Sequence, residues 1–297
     1  MATTTALAVN PVESRSRRGP TALAGFLAAF ARDRQALVGA VIITIAGGAA
    51  LAAPLISPWD PLTSGATERL APIGTAGHLL GTDEQGRDIL SRLIWGGRAS
   101  LLVGILPTVT AAVVALGLGL LAGYVGGLLD HVIMRVLDVF FAFPLVLLAI
   151  AIVGVIGPGM QNQMFALAVV LVPYSTRVVR TATLSVKPLE FVEGARALGA
   201  GFWRVMSRHV LPSALTPIVV SITFGIPAAI FTEAALSFIG VGINPPTPSW
   251  GQMVGENQQF LRPYWHLCVF PSIAIAVTML SFTFFGDGVR DALDPKL

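Results

Sequence analysis

The stretch PLEFVEGARALGAGFWRVMSRHVLP, residues 188–212, is a polar interruption in an otherwise strongly apolar chain. An ionised side chain held in the hydrocarbon of a bilayer costs about 3 kcal/mol or more. This stretch is therefore expected outside lipid. Its charged or titratable residues are Glu190, Glu193, Arg196, Arg204, Arg208 and His209.

The spacing within this stretch predicts two short amphipathic helices joined by a glycine turn. Pro188 suits a first helical turn, and one apolar face is predicted from residues at i, i+1, i+4 and i+7. Gly199 and Gly201 allow the backbone geometry of a helix end. A second helix should start at Phe202 and close at Pro212. The predicted face of the first consists of Phe191, Val192, Ala195 and Leu198. Periodicity alone leaves open whether the pair lies on the membrane surface or fills a groove in a soluble partner.

The composition indicates an integral membrane protein. Of its 297 residues, 54% are hydrophobic and 12% charged, against about 25% charged in soluble domains. The net charge of +3 comes from scattered basic residues, which argues against nucleic acid as a partner. The single cysteine, Cys268, excludes an intrachain disulfide, and the four histidines are too scattered to predict a metal site.

Six apolar stretches are long enough to be membrane-spanning helices, so an all-α membrane protein with both termini on one side is predicted. The chain should divide into an N-terminal segment, 1–35, and a six-span domain, 36–297. The spans are 36–56, 100–124, 139–156, 164–179, 215–239 and 267–285. The first ten residues are expected to be disordered. The apolar piece 21–31 is too short to cross and is expected at the membrane surface.

The distribution of Lys and Arg predicts the orientation. With the N-terminus inside, fourteen of the nineteen basic residues are cytoplasmic, as the positive-inside rule requires. The main cytoplasmic segments are then 1–35, 180–214 and 286–297, with Arg135 after the second span and Arg177 at the end of the fourth also counted inside. The main extracytoplasmic segments are 57–99 and 241–266. A cleaved signal peptide is the competing interpretation, but the first apolar run is longer than a usual signal core.

Both extracytoplasmic segments have features of a partner surface or of a structural cover. Thr82 and Gln85 have capping-box spacing, which predicts a helix at the outer interface. Three prolines between 245 and 248 stiffen the other loop. The candidate residues facing an external partner are Arg87, Asp88, Pro246 and Trp250.

Two features lie inside the predicted spans. Glu233 is an intramembrane carboxylate, which predicts either a pathway or gate residue or an internal hydrogen bond that fixes helix packing. Gly119, Gly123 and Gly127 recur every four residues, as in closely packed membrane helices. Pro144 is one of several prolines that could kink a span.

The spacing from Glu193 to Pro212 resembles the EAA loop of ABC importer permeases, E-A-A-x-x-x-G-x9-I-x-L-P. Gly194 replaces the middle alanine and His209 the isoleucine. The stretches HLLGTDEQGRDILSRLIWGGR, EAALSFIGVGINPPTPSWG and GDGVRDALDPKL are similar to the second permease subunit of the dipeptide, oligopeptide and nickel family. This resemblance implies a type I importer fold of the MetI-like kind in a bacterial inner membrane. It also implies that the first helix of the loop docks an ATPase, through Glu193, Gly194, Ala195, Arg196, Leu198, Gly199 and Ala200.

Further partners follow from the same resemblance. They are a homologous permease, two ATP-binding subunits that carry ATP and Mg²⁺, and an extracytoplasmic solute-binding protein. Within this chain no P-loop is possible, because its only lysines are Lys187 and Lys296 and neither precedes Ser or Thr. We therefore expect a transport subunit with no cofactor and no enzymatic site of its own. Expected substrates are di- or oligopeptides, with nickel or glutathione as alternatives. An ion-coupled carrier or a membrane enzyme fits the sequence less well.

Overall fold

A computed structural model describes residues 22–64 and 68–293, and the disorder predicted for the first ten residues lies outside these ranges. The described residues form twelve α-helices, one π-helical turn (Met206–Val210) and one 3-10 turn (Gln258–Phe260). The helices are α1 Ala22–Phe30, α2 Arg34–Leu51, α3 Ala53–Ile56, α4 Ile89–Val125, α5 Gly127–Phe141, α6 Leu145–Ile156, α7 Met160–Val186, α8 Glu190–Ala197, α9 Phe202–Val205, α10 Leu211–Phe238, α11 Trp250–Asn257 and α12 His266–Leu293.

The helices long and apolar enough to cross a membrane agree with the predicted spans. Among the described residues there are five, or six if α5 and α6 count as one bent span. The third span, predicted at 139–156, is divided between the end of α5 and all of α6, and the chain turns by 90° between these helices. Pro144, directly before α6, has a fixed φ and no N–H, which explains the break. The fourth span, predicted as the shortest, belongs to the 27-residue helix α7.

Glycines set the close contact between α4 and α7. A Cβ added to Gly119 would lie 2.6 Å from Cβ of Val179, and one added to Gly123 would lie 2.7 Å from Cβ of Thr183. The predicted packing role is therefore confirmed for these two glycines. It was wrong for Gly127, which has a φ of +59° and no side chain near its Cβ position.

A second close contact joins α2 to α12. A Cβ on Gly39 would lie 2.5 Å from the backbone oxygen of Ser281. The surface helix expected at 21–31 is α1, which packs on α12 through the rings of Phe30 and Phe285, 5.5 Å apart. The helix α10 contacts α4, α7 and α12 and so lies in the centre of the bundle.

The start of α4 differs from the prediction. Asp88 caps the helix, accepting a hydrogen bond from the backbone N–H of Ser91 at 2.7 Å. The hydroxyl of Thr82 instead closes the preceding loop, donating to the carbonyl of Glu68 at 2.6 Å and accepting from the N–H of Ala71 at 2.9 Å. The capping box was thus wrong, and the predicted interfacial helix is the first part of one continuous α4.

Pro212 does not close the second amphipathic helix, as predicted, but lies in the first turn of α10. The chain is helical from Phe202 to Phe238. Because Pro212 has no N–H, the carbonyl four residues earlier loses its usual donor. The π-helical turn relieves this conflict, with the N–H of Leu211 donating to the carbonyl of Met206 five residues before it.

Candidate functional site

Residues 188–210, here called the elbow, are fixed to one end of the bundle by a small apolar core. Val192, Val205 and Val210 are fully buried there. They form one cluster with residues of α4, α7 and α10, including Leu120, Val179 and Ile218. The elbow is therefore a packed part of the fold.

The turn between the two parts of the elbow depends on Gly199. Its φ of +80° is a left-handed conformation that glycine adopts without the strain of a side chain. The N–H of Gly199 donates to the carbonyl of Arg196 at 2.9 Å. The predicted glycine turn is confirmed.

Tyr124, at the end of α4, holds the elbow and was missed from the sequence. The Nε of Arg196 donates to its hydroxyl at 3.1 Å, and the guanidinium lies 4.8 Å from its ring centroid. Phe202 meets the same ring edge-on at 5.2 Å. An aromatic residue at the end of a span was visible in the sequence, but nothing there identified its partners.

The elbow exposes large apolar side chains. The single apolar face predicted for α8 was wrong, because Val192 is buried whereas Phe191 and Leu198 point outward. Leu198 is 91% exposed and Trp203 is 76% exposed. Glu193, Gly194 and Gly199 are also exposed, and Ala195 and Ala200 are half-buried. Exposed apolar groups beside charges are typical of a protein interaction surface.

The opposite end of the bundle, residues 68–92 and 240–260, is here called the cap, and ion pairs hold it together. The Nε of Arg87 lies 2.6 Å from Oδ2 of Asp83. Arg87 and Arg92 each place Nη2 at 3.0 Å from Oε2 of Glu256. Asp88 also contacts Nδ1 of His78 at 2.9 Å. These groups join the segment before α4 to α11.

Three of the four residues predicted to face an external partner are internal. Arg87 is 5% exposed, Asp88 3% and Trp250 5%. The indole of Trp250 donates to the carbonyl of Leu93 at 2.9 Å and packs against Gly96 and Gly97. These residues build the cap and do not form its surface. Only Pro246 is exposed.

Glu233 is fully buried where α4, α7, α10 and the loop after α10 meet. Its carboxylate accepts hydrogen bonds from the hydroxyls of Ser100 at 3.2 Å and Ser237 at 2.8 Å. Those hydroxyls accept in turn from the N–H groups of Trp250 and Ile243. Nε2 of Gln163 donates to the backbone oxygen of Glu233 at 3.2 Å. This geometry favours the packing role, and a pathway or gate role stays a prediction.

Residues 22–64 and 68–293 contain no group of three or more His, Cys, Asp or Glu side chains that could hold a metal ion. The chemistry available at the elbow is recognition by shape, apolar contact and charge.

The comparisons agree with this architecture. Residues 115–297 match the family described as binding-protein-dependent transport system inner membrane component. Residues 21–72 match the N-terminal TM domain of oligopeptide transport permease C.

Full-length relatives are similar over nearly the whole chain. The dipeptide transport system permease of Escherichia coli K12 is 43% identical, covering 93% of this chain and 94% of the relative. A glutathione transport system permease of Pectobacterium atrosepticum is 42% identical, covering 90% and 89%. A dipeptide permease of Alkalihalophilus pseudofirmus is 41% identical, covering 90% and 87%.

A solved structure shares the fold. It is an inward-facing form of the MetNI methionine ABC transporter, with a TM-score of 0.58 and 20% identity, covering 69% of this chain and 98% of that one. Fold and matches together define a multi-span membrane transport subunit. The chain belongs to the family of inner-membrane permease components of binding-protein-dependent transport systems.

Proposed function

We propose that this chain is one of two permease subunits of an ATP-driven importer of di- and oligopeptides. Its relatives include permeases named for dipeptide transport at 43% and 41% identity. In the proposed assembly a homologous permease supplies the other half of the pathway. One of two ATPase subunits binds the elbow from the cytoplasm, and a solute-binding protein delivers substrate to the cap.

The exposed elbow is the observation that carries this proposal. Leu198 and Trp203 present apolar surface beside Glu193, on a segment that cannot lie in lipid. This matches a helix that fits a groove in a soluble partner. ATP-driven closure of the ATPase pair then moves the elbow. Its apolar core transmits the motion to α4, α7 and α10 as a rigid-body change between two arrangements.

The same proposal sets the orientation. With the elbow in the cytoplasm, both termini are cytoplasmic and the cap faces the outside, as the distribution of basic residues predicts. ATP and Mg²⁺ then bind only to the partner subunits.

Glutathione is the second candidate substrate, because a glutathione permease is 42% identical to this chain. Glutathione is itself a tripeptide, so the same pathway chemistry could accept it. The choice between glutathione and dipeptides would then depend mainly on the solute-binding protein.

Reconstitution tests the proposal. The complex with its partner permease, its ATPase subunits and its solute-binding protein is placed in proteoliposomes, and uptake of glycyl-leucine, glutathione and Ni²⁺ is measured. We expect ATP-dependent uptake of the dipeptide that is lost when the ATPase subunits are omitted. Uptake driven by an ion gradient without those subunits would contradict it.

A further inference from the structure

Two outer faces of the helical bundle differ in chemistry. One face of α4 carries only aliphatic side chains, with Leu102, Ile105, Val109 and Val113 exposed by 47%, 39%, 39% and 64%. The middle of α2 also exposes aliphatic side chains, Val38, Val41 and Ile45, and the exposed hydroxyl of Thr44 donates to the carbonyl of Ala40 in the same helix. These faces have the composition expected for contact with lipid.

The face between α7 and α10 is a groove with mixed chemistry. Cavities of about 340, 460 and 550 Å³ follow it, and all three are lined by Tyr174. On α7 the lining residues after Tyr174 recur at i+3, i+4, i+7 and i+11, on one helical face. They are Arg177, Val178, Thr181 and Ser185, with Ala182 beside them.

The groove wall contains a half-exposed ion pair. Nη2 of Arg177 lies 2.5 Å from Oδ1 of Asp138, and the two side chains are 44% and 48% exposed. The guanidinium also lies 3.7 Å from the ring centroid of Phe141, at the end of α5. A partly exposed ion pair, with Thr181 and Ser185 also exposed, would lose hydration against lipid chains. This face is therefore suited to water.

The groove is open toward the elbow and closed toward the cap. Tyr174 and Phe224 lie near the middles of α7 and α10, and the polar lining continues from them to the elbow ends of both helices. On the cap side, hydrogen bonds from Gln163 and Ser100 to Glu233 join the helices. A path along this face would thus end about one helical turn beyond Tyr174 and Phe224, where Val170 and Ala228 line the last of the three cavities.

We infer that this groove is the chain's share of a water-filled cavity open to the cytoplasm, in which Tyr174 and Phe224 contact the transported solute near the closed end. Tyr174, which is 54% exposed, offers a ring for apolar side chains and a hydroxyl for peptide groups. The inference rests on the proposed function and adds the residues that meet the substrate.

Cysteine accessibility tests the water-filled groove. In a Cys268→Ser background, single variants Tyr174→Cys and Thr181→Cys are compared with Val113→Cys and Val41→Cys on the aliphatic faces. The assembled complex, in inside-out vesicles, reacts with the membrane-impermeant reagent trimethylammonium-ethyl methanethiosulfonate. We expect labelling of the groove cysteines to be about tenfold faster, because thiolates form in water and are suppressed in apolar surroundings.

ATP-driven release of glycyl-leucine from the same vesicles, loaded in the lumen with the dipeptide and the binding protein, separates failure of this inference from failure of the proposed function. If the Cys268→Ser complex releases glycyl-leucine with ATP but the groove cysteines react as slowly as Val113→Cys, the groove faces lipid or protein and the inference is overturned. If no ATP-dependent release occurs while the groove cysteines react rapidly, the proposed function fails and the water-filled groove stands.

A selectivity measurement tests the contact with solute. Relative uptake of glycyl-phenylalanine and glycyl-glycine is compared in Tyr174→Ala, Tyr174→Phe and Val113→Ala complexes. A lost apolar contact should change the ratio by about tenfold in Tyr174→Ala, with recovery in Tyr174→Phe and no change in Val113→Ala. An unchanged ratio in Tyr174→Ala would overturn the assignment of Tyr174 as a solute contact.

Discussion

The elbow and the cap both interrupt an apolar chain with charged residues, yet they use those charges differently. In the cap, Arg87 and Arg92 are buried and paired with carboxylates of the same chain. In the elbow, Glu193 and Arg196 are exposed beside the exposed side chain of Leu198. Charges satisfied within the chain stabilise the subunit, whereas an exposed mixture of charged and apolar groups is available to a partner.

This difference means that polarity alone does not identify an interaction surface. The sequence suggested partner contacts at both ends, but most of the candidates in the cap are internal. Substitutions in the cap should therefore change the stability of the isolated chain. Substitutions at the exposed positions of the elbow should change its assembly.

The largest loss of stability is expected for Arg92→Ala. Its side chain is 1% exposed and lies 3.0 Å from Glu256, so its removal empties a buried site and leaves only Arg87 to pair with Asp83 and Glu256. Breaking a buried ion pair costs about 3–5 kcal/mol, and because Arg87 remains we expect a loss of about 3 kcal/mol. Thermal unfolding in detergent, followed by circular dichroism, measures the effect against Arg69→Ala, an exposed arginine of the same cap. Equal melting temperatures for the two variants would show that the ion pairs do not hold the cap.

A smaller loss is expected in the helix that connects the two regions. In Gly119→Ala the new Cβ would lie 2.6 Å from Cβ of Val179, and relieving such overpacking costs about 1–3 kcal/mol. The control is Gly117→Ala on the same helix, which meets nothing within 4 Å and should gain up to about 1 kcal/mol in helix propensity. The two melting shifts should have opposite signs. A shared sign would contradict the glycine contact between α4 and α7.

Within the elbow, two glycines should respond in opposite directions. Gly199→Ala forces a side chain into a φ of +80°, at a cost of about 1–2 kcal/mol. Gly194→Ala fills open space within α8 and should stabilise by about 1 kcal/mol. The same unfolding measurement compares them, and a stable Gly199→Ala variant would argue against the glycine turn.

The smallest effect on stability is expected for Leu198→Asp. The side chain is 91% exposed, and surface substitutions usually change stability by less than about 0.5 kcal/mol. A marked drop in melting temperature would show that Leu198 supports the fold itself.

The sequence predicted the parts of the fold that depend on local pattern. The lengths of the apolar stretches predicted the membrane spans, and Gly199 predicted the turn of the elbow. Long-range pairing could not be predicted in this way. Glu256 pairs with Arg87 across 169 residues, and Tyr124 meets Arg196 across 72, so neither contact leaves a local pattern.

Backbone adjustments at proline were predicted only in part. Pro144 was identified as a possible kink but not as the start of a separate helix at 90°. Pro212 was interpreted as a helix end because a proline removes a backbone donor. The structure retains the helix by shifting to a π-helical turn. Whether the helix ends at Pro212 or continues through a π-helical turn depends on how α10 packs against other helices. Those contacts involve residues that are distant in the sequence.

The most direct test of the central claim is recovery of the ATPase subunits with the tagged chain. Leu198→Asp in the elbow is compared with Leu79→Asp in the cap, which alters a leucine that is 67% exposed. Wild type and Leu79→Asp should recover equal amounts of ATPase, and Leu198→Asp at least about tenfold less, as expected at the centre of an interface, while melting like wild type. Undiminished recovery with Leu198→Asp would contradict the assignment of the elbow as the docking site.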